Sequence, residues 1–201
     1  PSVGGVWILE DATERVRPAE RLQQIADRDP LTNLYNRRRF HEELERLIAD
    51  ATRRGGELGL LMMDLDGFKP INDRYGHPAG DTVLVEFSHA VASIIRRNEM
   101  FFRLGGDEFA VLVPDTDLTQ TENLARRIVQ RVSDLRFTFG DQSVGISVSL
   151  GIGLSPMHAI DQADLGDVTD QALYRATAGG KNGWRFAEAC PPTGAASSNS
   201  D

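Results

Sequence analysis

The chain has 201 residues, room for one domain of ordinary size plus flanking sequence, and 40% of them are hydrophobic, enough for a core. A formal net charge of -8 argues against a nucleic-acid groove or an anionic membrane surface, yet it admits a phosphorylated nucleotide held through divalent cations. The lone Cys190 forbids an intrachain disulfide, no apolar run is long enough to span a bilayer, and no signal peptide is visible, so the expected location is the cytoplasm.

The chain begins with Pro1 instead of Met and reads as a piece of a longer protein. Val3 to Glu10 predicts a short strand, and Pro18 to about Arg28 predicts a helix with Leu22, Ile25 and Ala26 on one face. Asp29-Pro30 interrupts it. Thr32 to Asn36 is a turn-rich lead into a helix that runs to about Arg54, with Phe40, Leu44, Leu47 and Ile48 in step and Gly55-Gly56 at its end. Leu58 to Leu65 is a continuous apolar run and predicts a buried central strand.

Phe68 to Tyr75 predicts a short helix, Gly76 to Gly80 a turn, and Asp81 to Arg97 a long helix. Met100 to Leu104 and Phe109 to Val113 predict two strands joined by a hairpin at Gly105-Gly106-Asp107-Glu108. Leu118 to about Leu135 is helical, Phe137 to Leu154 alternates and predicts a second hairpin, and Asp164 to Ala178 is a last helix ended by Gly179-Gly180. Trp184 to Phe186 is a final strand. Beyond Cys190 the tail lacks core-forming residues and is expected to be disordered. Helices and hairpins in this order predict an α+β domain around a mostly antiparallel sheet flanked by helices.

Two acidic features stand at the ends of apolar strands, Asp64-Leu65-Asp66 and Asp107-Glu108. Crowded carboxylates repel unless a positive charge neutralises them, and Mg²⁺ commonly joins one or two carboxylates to substrate phosphates. Either cluster alone is also what an ordinary turn carries.

The motifs decide between these readings. Arg-Leu-Gly-Gly-Asp-Glu-Phe, Arg103 to Phe109, contains the five-residue signature of the GGDEF family of diguanylate cyclases, and the chain resembles that family over about residues 27 to 188. Asp29-Pro-Leu-Thr-Asn-Leu-Tyr-Asn-Arg-Arg38 resembles the family's opening motif. Asp64-Leu-Asp-Gly-Phe-Lys69, Asn72-Asp73, Gly76-His77 and Gly80-Asp81 resemble its nucleotide-binding block, and Ser149-Leu-Gly-Ile-Gly153 and Ala172-Leu-Tyr174 its later strand and helix. The fold implied resembles the nucleotidyl cyclase and polymerase palm, with a GGDEF domain over residues 29–188 and a tail over 189–201. Gly4 to Glu14 resembles the closing strand of a PAS sensor and its linker, which makes residues 1–28 the end of an upstream sensor.

The resemblance implies roles for individual residues. Asp64, the Leu65 carbonyl and Asp107 match the positions that hold two Mg²⁺ ions, with Mn²⁺ a substitute. Asp107 also matches the base for the 3′-hydroxyl, and Glu108 supports the metals. Asn72 and Asp81 match the guanine-recognising pair, whose amide and carboxylate suit guanine's edge. Lys69, Lys181 and the Phe68 backbone match phosphate contacts, His77 a place by the ribose, and Arg103 the substrate side of the signature.

The implied reaction condenses two GTP into cyclic di-GMP and two pyrophosphates. Because each domain holds one GTP, activity implies a homodimer. No nucleic-acid partner or membrane contact is expected of this segment.

The sequence departs from the family pattern in two places. Thr177 stands where a lysine is usual, and losing one charged phosphate contact costs roughly 1.5–3 kcal/mol, so weaker GTP binding is expected. The inhibitory Arg-x-x-Asp motif reads Arg96-Arg97-Asn98-Glu99, so weak or absent product feedback is expected at Arg96 and Glu99. The competing reading is an idle GTP-binding module that regulates a neighbour such as an EAL phosphodiesterase.

Overall fold

The computed structural model describes residues 26–188. The expected N-terminal strand, PAS-like segment, most of the linker helix and the tail beyond Cys190 lie outside those residues. Helix α1 (Arg37–Arg54) starts where the Asn36 side chain accepts from the Arg39 N–H at 3.1 Å, and it stops at Gly55, whose left-handed backbone returns an N–H to the Ala51 carbonyl. Strand β1 (Leu58–Asp66) follows, then α2 (Phe68–Tyr75), α3 (His77–Ala92), β2 (Met100–Gly105) and β3 (Glu108–Pro114). Helix α4 (Leu118–Ser133), β4 (Arg136–Phe139), β5 (Gln142–Gly145), β6 (Ser147–Ser155), α5 (Gln162–Ala178) and β7 (Gly183–Phe186) complete the order.

Five strands form one sheet in the order β2-β3-β1-β6-β7, antiparallel throughout except for the parallel β6–β7 pair. The apolar run of β1 is explained by its central place. Leu61, Met63 and Leu65 face α2, α3 and α4, while Leu58, Leu60 and Met62 alternate to the side covered by α1 and α5. The α+β prediction with a mostly antiparallel, helix-flanked sheet therefore holds.

Phe109 closes the signature motif for a packing reason. It is fully buried, and its ring centroid lies 4.6 Å from Phe87 on α3 and 5.8 Å from Phe101 on β2. Removing such a ring typically costs about 3–5 kcal/mol, so it pins the acidic turn to the core.

Two elements differ from expectation. The turn expected at Gly76 to Gly80 is the first turn of α3, which starts at His77 and ends at Ala92 instead of Arg97. Pro78 fits there because the first helical N–H groups have no acceptor to lose. The expected hairpin over Phe137 to Leu154 divides: β4 and β5 make a separate two-stranded sheet, and β6 leaves it to pair with all of β1, from Leu58 opposite Ser155 to Asp66 opposite Ser147. The small hairpin still serves the main body, since the Tyr75 hydroxyl donates to Gln142 Oε1 at 2.7 Å and its ring lies 5.0 Å from Phe139.

Candidate active site

The sheet brings the two acidic clusters together at one end. Asp64 lies opposite Glu108 on β3, and the Leu65 N–H reaches the Asp107 carbonyl at 3.4 Å. Like charges directly across two strands repel. Burial first, then the neighbouring Asp107, Asp66 and Glu108, pushes the Asp64 carboxyl up to about 6, and Lys181 pulls it partly back. At this edge the carboxylates outweigh the one lysine that faces them.

No group of three or more His, Cys, Asp or Glu among the described residues is arranged to hold a metal by itself. The donors expected from the motif, the Asp64 and Asp107 carboxylates and the Leu65 carbonyl, belong to residues that meet at this edge. That set fits a hard divalent cation whose remaining positions are filled by water or phosphate oxygens.

The turn carrying Asp107 is held from behind. Gly105 and Gly106 have positive φ, and a register shift between Arg103 and Gly105 bends β2. The Arg103 guanidinium donates to the Gly106 carbonyl from Nε at 3.1 Å and from one terminal nitrogen at 2.9 Å, and its other terminal nitrogen donates to Asp29 at 3.0 Å. Burial alone would raise the Asp29 carboxyl, but hydrogen bonds from Thr32 and Arg103 hold it below the usual range. Arg103 thus braces the turn and the opening motif, a different place from the substrate side implied for it.

Helix α2 presents the next group. Phe68 is buried, Lys69 is exposed beside it, and the free N–H groups of the first turn follow directly from β1. Asn72 lies one turn on, and its Oδ1 is buried with no hydrogen-bond partner. A carboxamide oxygen left unpaired in that way costs free energy unless a ligand supplies the donor. Gly80 makes the space, because a Cβ there would stand 1.9 Å from Asn72 Oδ1. Asp81 is exposed on the next residue of α3 and lines a shallow pocket with Leu31, Thr82, Val85 and Glu86. His77 is exposed at the start of α3.

On the far side of β1, Lys181 lies in the loop between α5 and β7 with φ 63°. Thr177 offers no charge there, and its hydroxyl donates to the Leu173 carbonyl at 3.1 Å. Arg96 and Glu99 stand apart from all of this, in the loop that precedes β2 at the other end of the sheet. The Arg96 N–H donates to Glu99 Oε2 at 2.6 Å, and the Glu99 side chain is 4% exposed against 63% for Arg96.

Four contributors had no role assigned from sequence. Asp66 was visible as an acidic residue only, Leu31 as part of a motif, Gly80 as half of a Gly-Asp pair, and Asp29 as a helix stop. An apolar residue inside the polar turn Asp29 to Asn33 is the signal that could have singled out Leu31.

This geometry meets its relatives at this point. The family profile described as "Diguanylate cyclase, GGDEF domain" matches residues 26–183. The chain belongs to the GGDEF domain family. It is 37% identical to the bifunctional diguanylate cyclase/cyclic di-GMP phosphodiesterase MucR of Pseudomonas aeruginosa, over 88% of this chain and 26% of that protein. It is 37% identical to the response regulator PleD of Caulobacter vibrioides, over 79% and 36% respectively. The cyclic di-GMP phosphodiesterase PdeR of Escherichia coli is 38% identical over 85% of this chain and 25% of its own length. The chain thus spans a minor part of these relatives.

Among solved structures, the coiled coil and GGDEF domain of DgcB from Caulobacter crescentus, in complex with c-di-GMP, has a TM-score of 0.80 at 29% identity, covering 87% of this chain and 93% of that one. The GGDEF-only form of TpbB (YfiN) from Pseudomonas aeruginosa has a TM-score of 0.76 at 38% identity, covering 80% and 94%. The palm architecture expected from the motifs is the fold of this family. Among the described residues no helix is long and apolar enough to cross a membrane.

Proposed function

We propose that this domain is a diguanylate cyclase that joins two GTP molecules into cyclic di-GMP and releases two pyrophosphates. The observation that carries the reading is the crowded acidic edge of Asp64, Asp107 and Glu108, with the unpartnered Asn72 oxygen on the short helix that follows β1. One needs a cation, the other needs a donor, and a metal-bound guanine nucleotide supplies both.

Guanine's N–H groups would meet Asn72 Oδ1 and the Asp81 carboxylate, with Leu31 against the base. The first-turn N–H groups of α2, with Lys69 and Lys181, would receive the phosphates, and His77 would lie by the ribose. Asp107 would accept the proton of the 3′-hydroxyl that attacks the α-phosphorus of the second GTP, with pyrophosphate leaving, and Glu108 would add negative charge that favours bound cations. Two Mg²⁺ ions, or Mn²⁺, held by Asp64, Asp107 and the Leu65 carbonyl, would supply electrostatic stabilisation of the attacking and leaving oxygens. Two such domains must face each other, so the active form is a homodimer.

The test is incubation with GTP and Mg²⁺, with cyclic di-GMP and pyrophosphate measured by chromatography. Product from the native chain and none from Asp107→Asn is the expected result. GTP bound without product by a dimeric sample overturns the catalytic reading. It would select instead a GTP-binding module that regulates a neighbour, a reading favoured by the neutral Thr177.

A further inference from the structure

Asp66 is a buried carboxylate that the reaction above does not use. It accepts three hydrogen bonds: from the Ser149 hydroxyl to Oδ1 at 2.9 Å, from the Ser147 hydroxyl to Oδ2 at 2.8 Å, and from the Asn182 backbone N–H to Oδ2 at 3.0 Å. The serines lie on β6, whose register sets Asp64 opposite Ser149 and Asp66 opposite Ser147. Asn182 belongs to the loop between α5 and β7. A residue at the end of the central strand therefore ties that loop to the sheet.

The loop needs such a tie. Lys181 and Asn182 both have left-handed backbone, with φ of 63° and 49°, a conformation that consecutive residues with side chains rarely hold unless their surroundings impose it. The Lys181 N–H also reaches the Ala176 carbonyl at 3.2 Å, and the Ser133 hydroxyl donates to the Asn182 side chain at 2.9 Å. Of these contacts, only the one to Asp66 leads directly to the strand that carries Asp64. With a neutral threonine at 177, Lys181 is the cation this loop offers to the acidic edge.

We infer that Asp66 is a positioning residue that latches the Lys181–Asn182 turn, holding the lysine beside the acidic strand ends where it grips the phosphates of the nucleotide. The inference rests on the GTP reading above. Asp66 acts through Lys181 and leaves guanine recognition, on the α2 and α3 side, untouched.

That division makes the latch testable by binding alone. Calorimetry would compare guanosine with the α,β-methylene analogue of GTP, which cannot release pyrophosphate, in the presence of Mg²⁺. In Asp66→Asn, the analogue is expected to bind about tenfold more weakly and guanosine within about twofold of native. Lys181→Ala should give the same pattern, and the double variant should be no worse than either single one.

Ser147→Ala removes one donor to the same oxygen but leaves the carboxylate, so it should weaken the analogue by a smaller factor, and it decides the matter if Asp66→Asn does not fold. Equal losses for guanosine and the analogue, additive losses, or no loss in either variant would overturn the latch. A native chain that binds neither ligand would refute the GTP reading itself, and the latch with it.

Discussion

At the far end of β2, Glu99 is turned into the protein and closes the turn of residues 96–99 by accepting from the Arg96 N–H. At the near end, the turn that β2 enters at Gly105 carries Asp107 and Glu108 against Asp64, and burial and mutual repulsion push Asp64 up to about 6. One acidic residue has an internal hydrogen-bond partner and is stabilising; the other set is crowded by its own like charges. Carboxylates contribute to the fold where the backbone satisfies them, and to chemistry where it does not.

The contrast breaks most plainly at Asp64. Asp64→Asn should lower cyclic di-GMP formation by on the order of a hundredfold or more. In metal-free buffer at pH 8, the same variant should melt higher than the native chain, since it removes a carboxylate held at a strained charge. The sign follows from the raised value: the folded chain binds the proton more tightly than the unfolded chain, so stability is greatest below the ordinary carboxylate range and is lost as pH rises towards about 6. Thermal melts from pH 4 to 8 with a chelator, native against variant, test this. A parallel pH response in both would remove Asp64 from the account.

Next in size is Gly80→Ala. Its Cβ would displace Asn72, so GTP affinity should fall by roughly tenfold to a hundredfold, with guanosine affected as much as GTP. Unchanged binding of both by calorimetry would mean that Asn72 is not a base contact. Arg103→Ala should reduce turnover by about tenfold and destabilise the domain by about 1–3 kcal/mol, because two hydrogen bonds behind Asp107 and one to Asp29 disappear together. Arg103→Lys, with no planar fork, should rescue little of it.

Thr177→Lys should strengthen GTP binding, by about tenfold at most, given that one charged contact is restored. An unchanged Michaelis constant would remove Thr177 from the phosphate side. The smallest functional change belongs to the satisfied end: Glu99→Ala should cost about 1–2 kcal/mol by chemical denaturation and leave the cyclase rate unaltered. A slowed reaction there would mean that the two ends are coupled.

Much of the sheet was legible because its cause is local. The apolar runs of β1, β2 and β3 and the periodic faces of α1 and α4 need only neighbours in sequence to be recognised. The failures have physical reasons. Gly76-His77-Pro78 reads as a turn until a helix is found behind it. The alternation from Phe137 to Leu154 conceals that β4 and β6 belong to different sheets, since period two says which face a residue takes and not which strand it pairs with. For the candidate site, the motif is what singles out Asp64, Asp107, Asn72 and Asp81. The Asp29–Arg103 brace joins residues 74 positions apart, and the bond from Asn182 to Asp66 joins residues 116 apart. No local pattern encodes either.

Strand β6 adds a consequence of another kind. A Cβ at Gly151 would lie 2.1 Å from the Thr169 carbonyl and 2.4 Å from the Leu173 nitrogen, and one at Gly153 would lie 2.1 Å from the Thr169 hydroxyl. Helix α5 rests against bare backbone there. In a saturation library scored for activity, these two positions should be as intolerant as Asp64 or Asp107, although neither glycine has a side chain to offer the nucleotide. Mutational sensitivity in this domain will map the thickness of the sheet–helix contact as faithfully as it maps the chemistry.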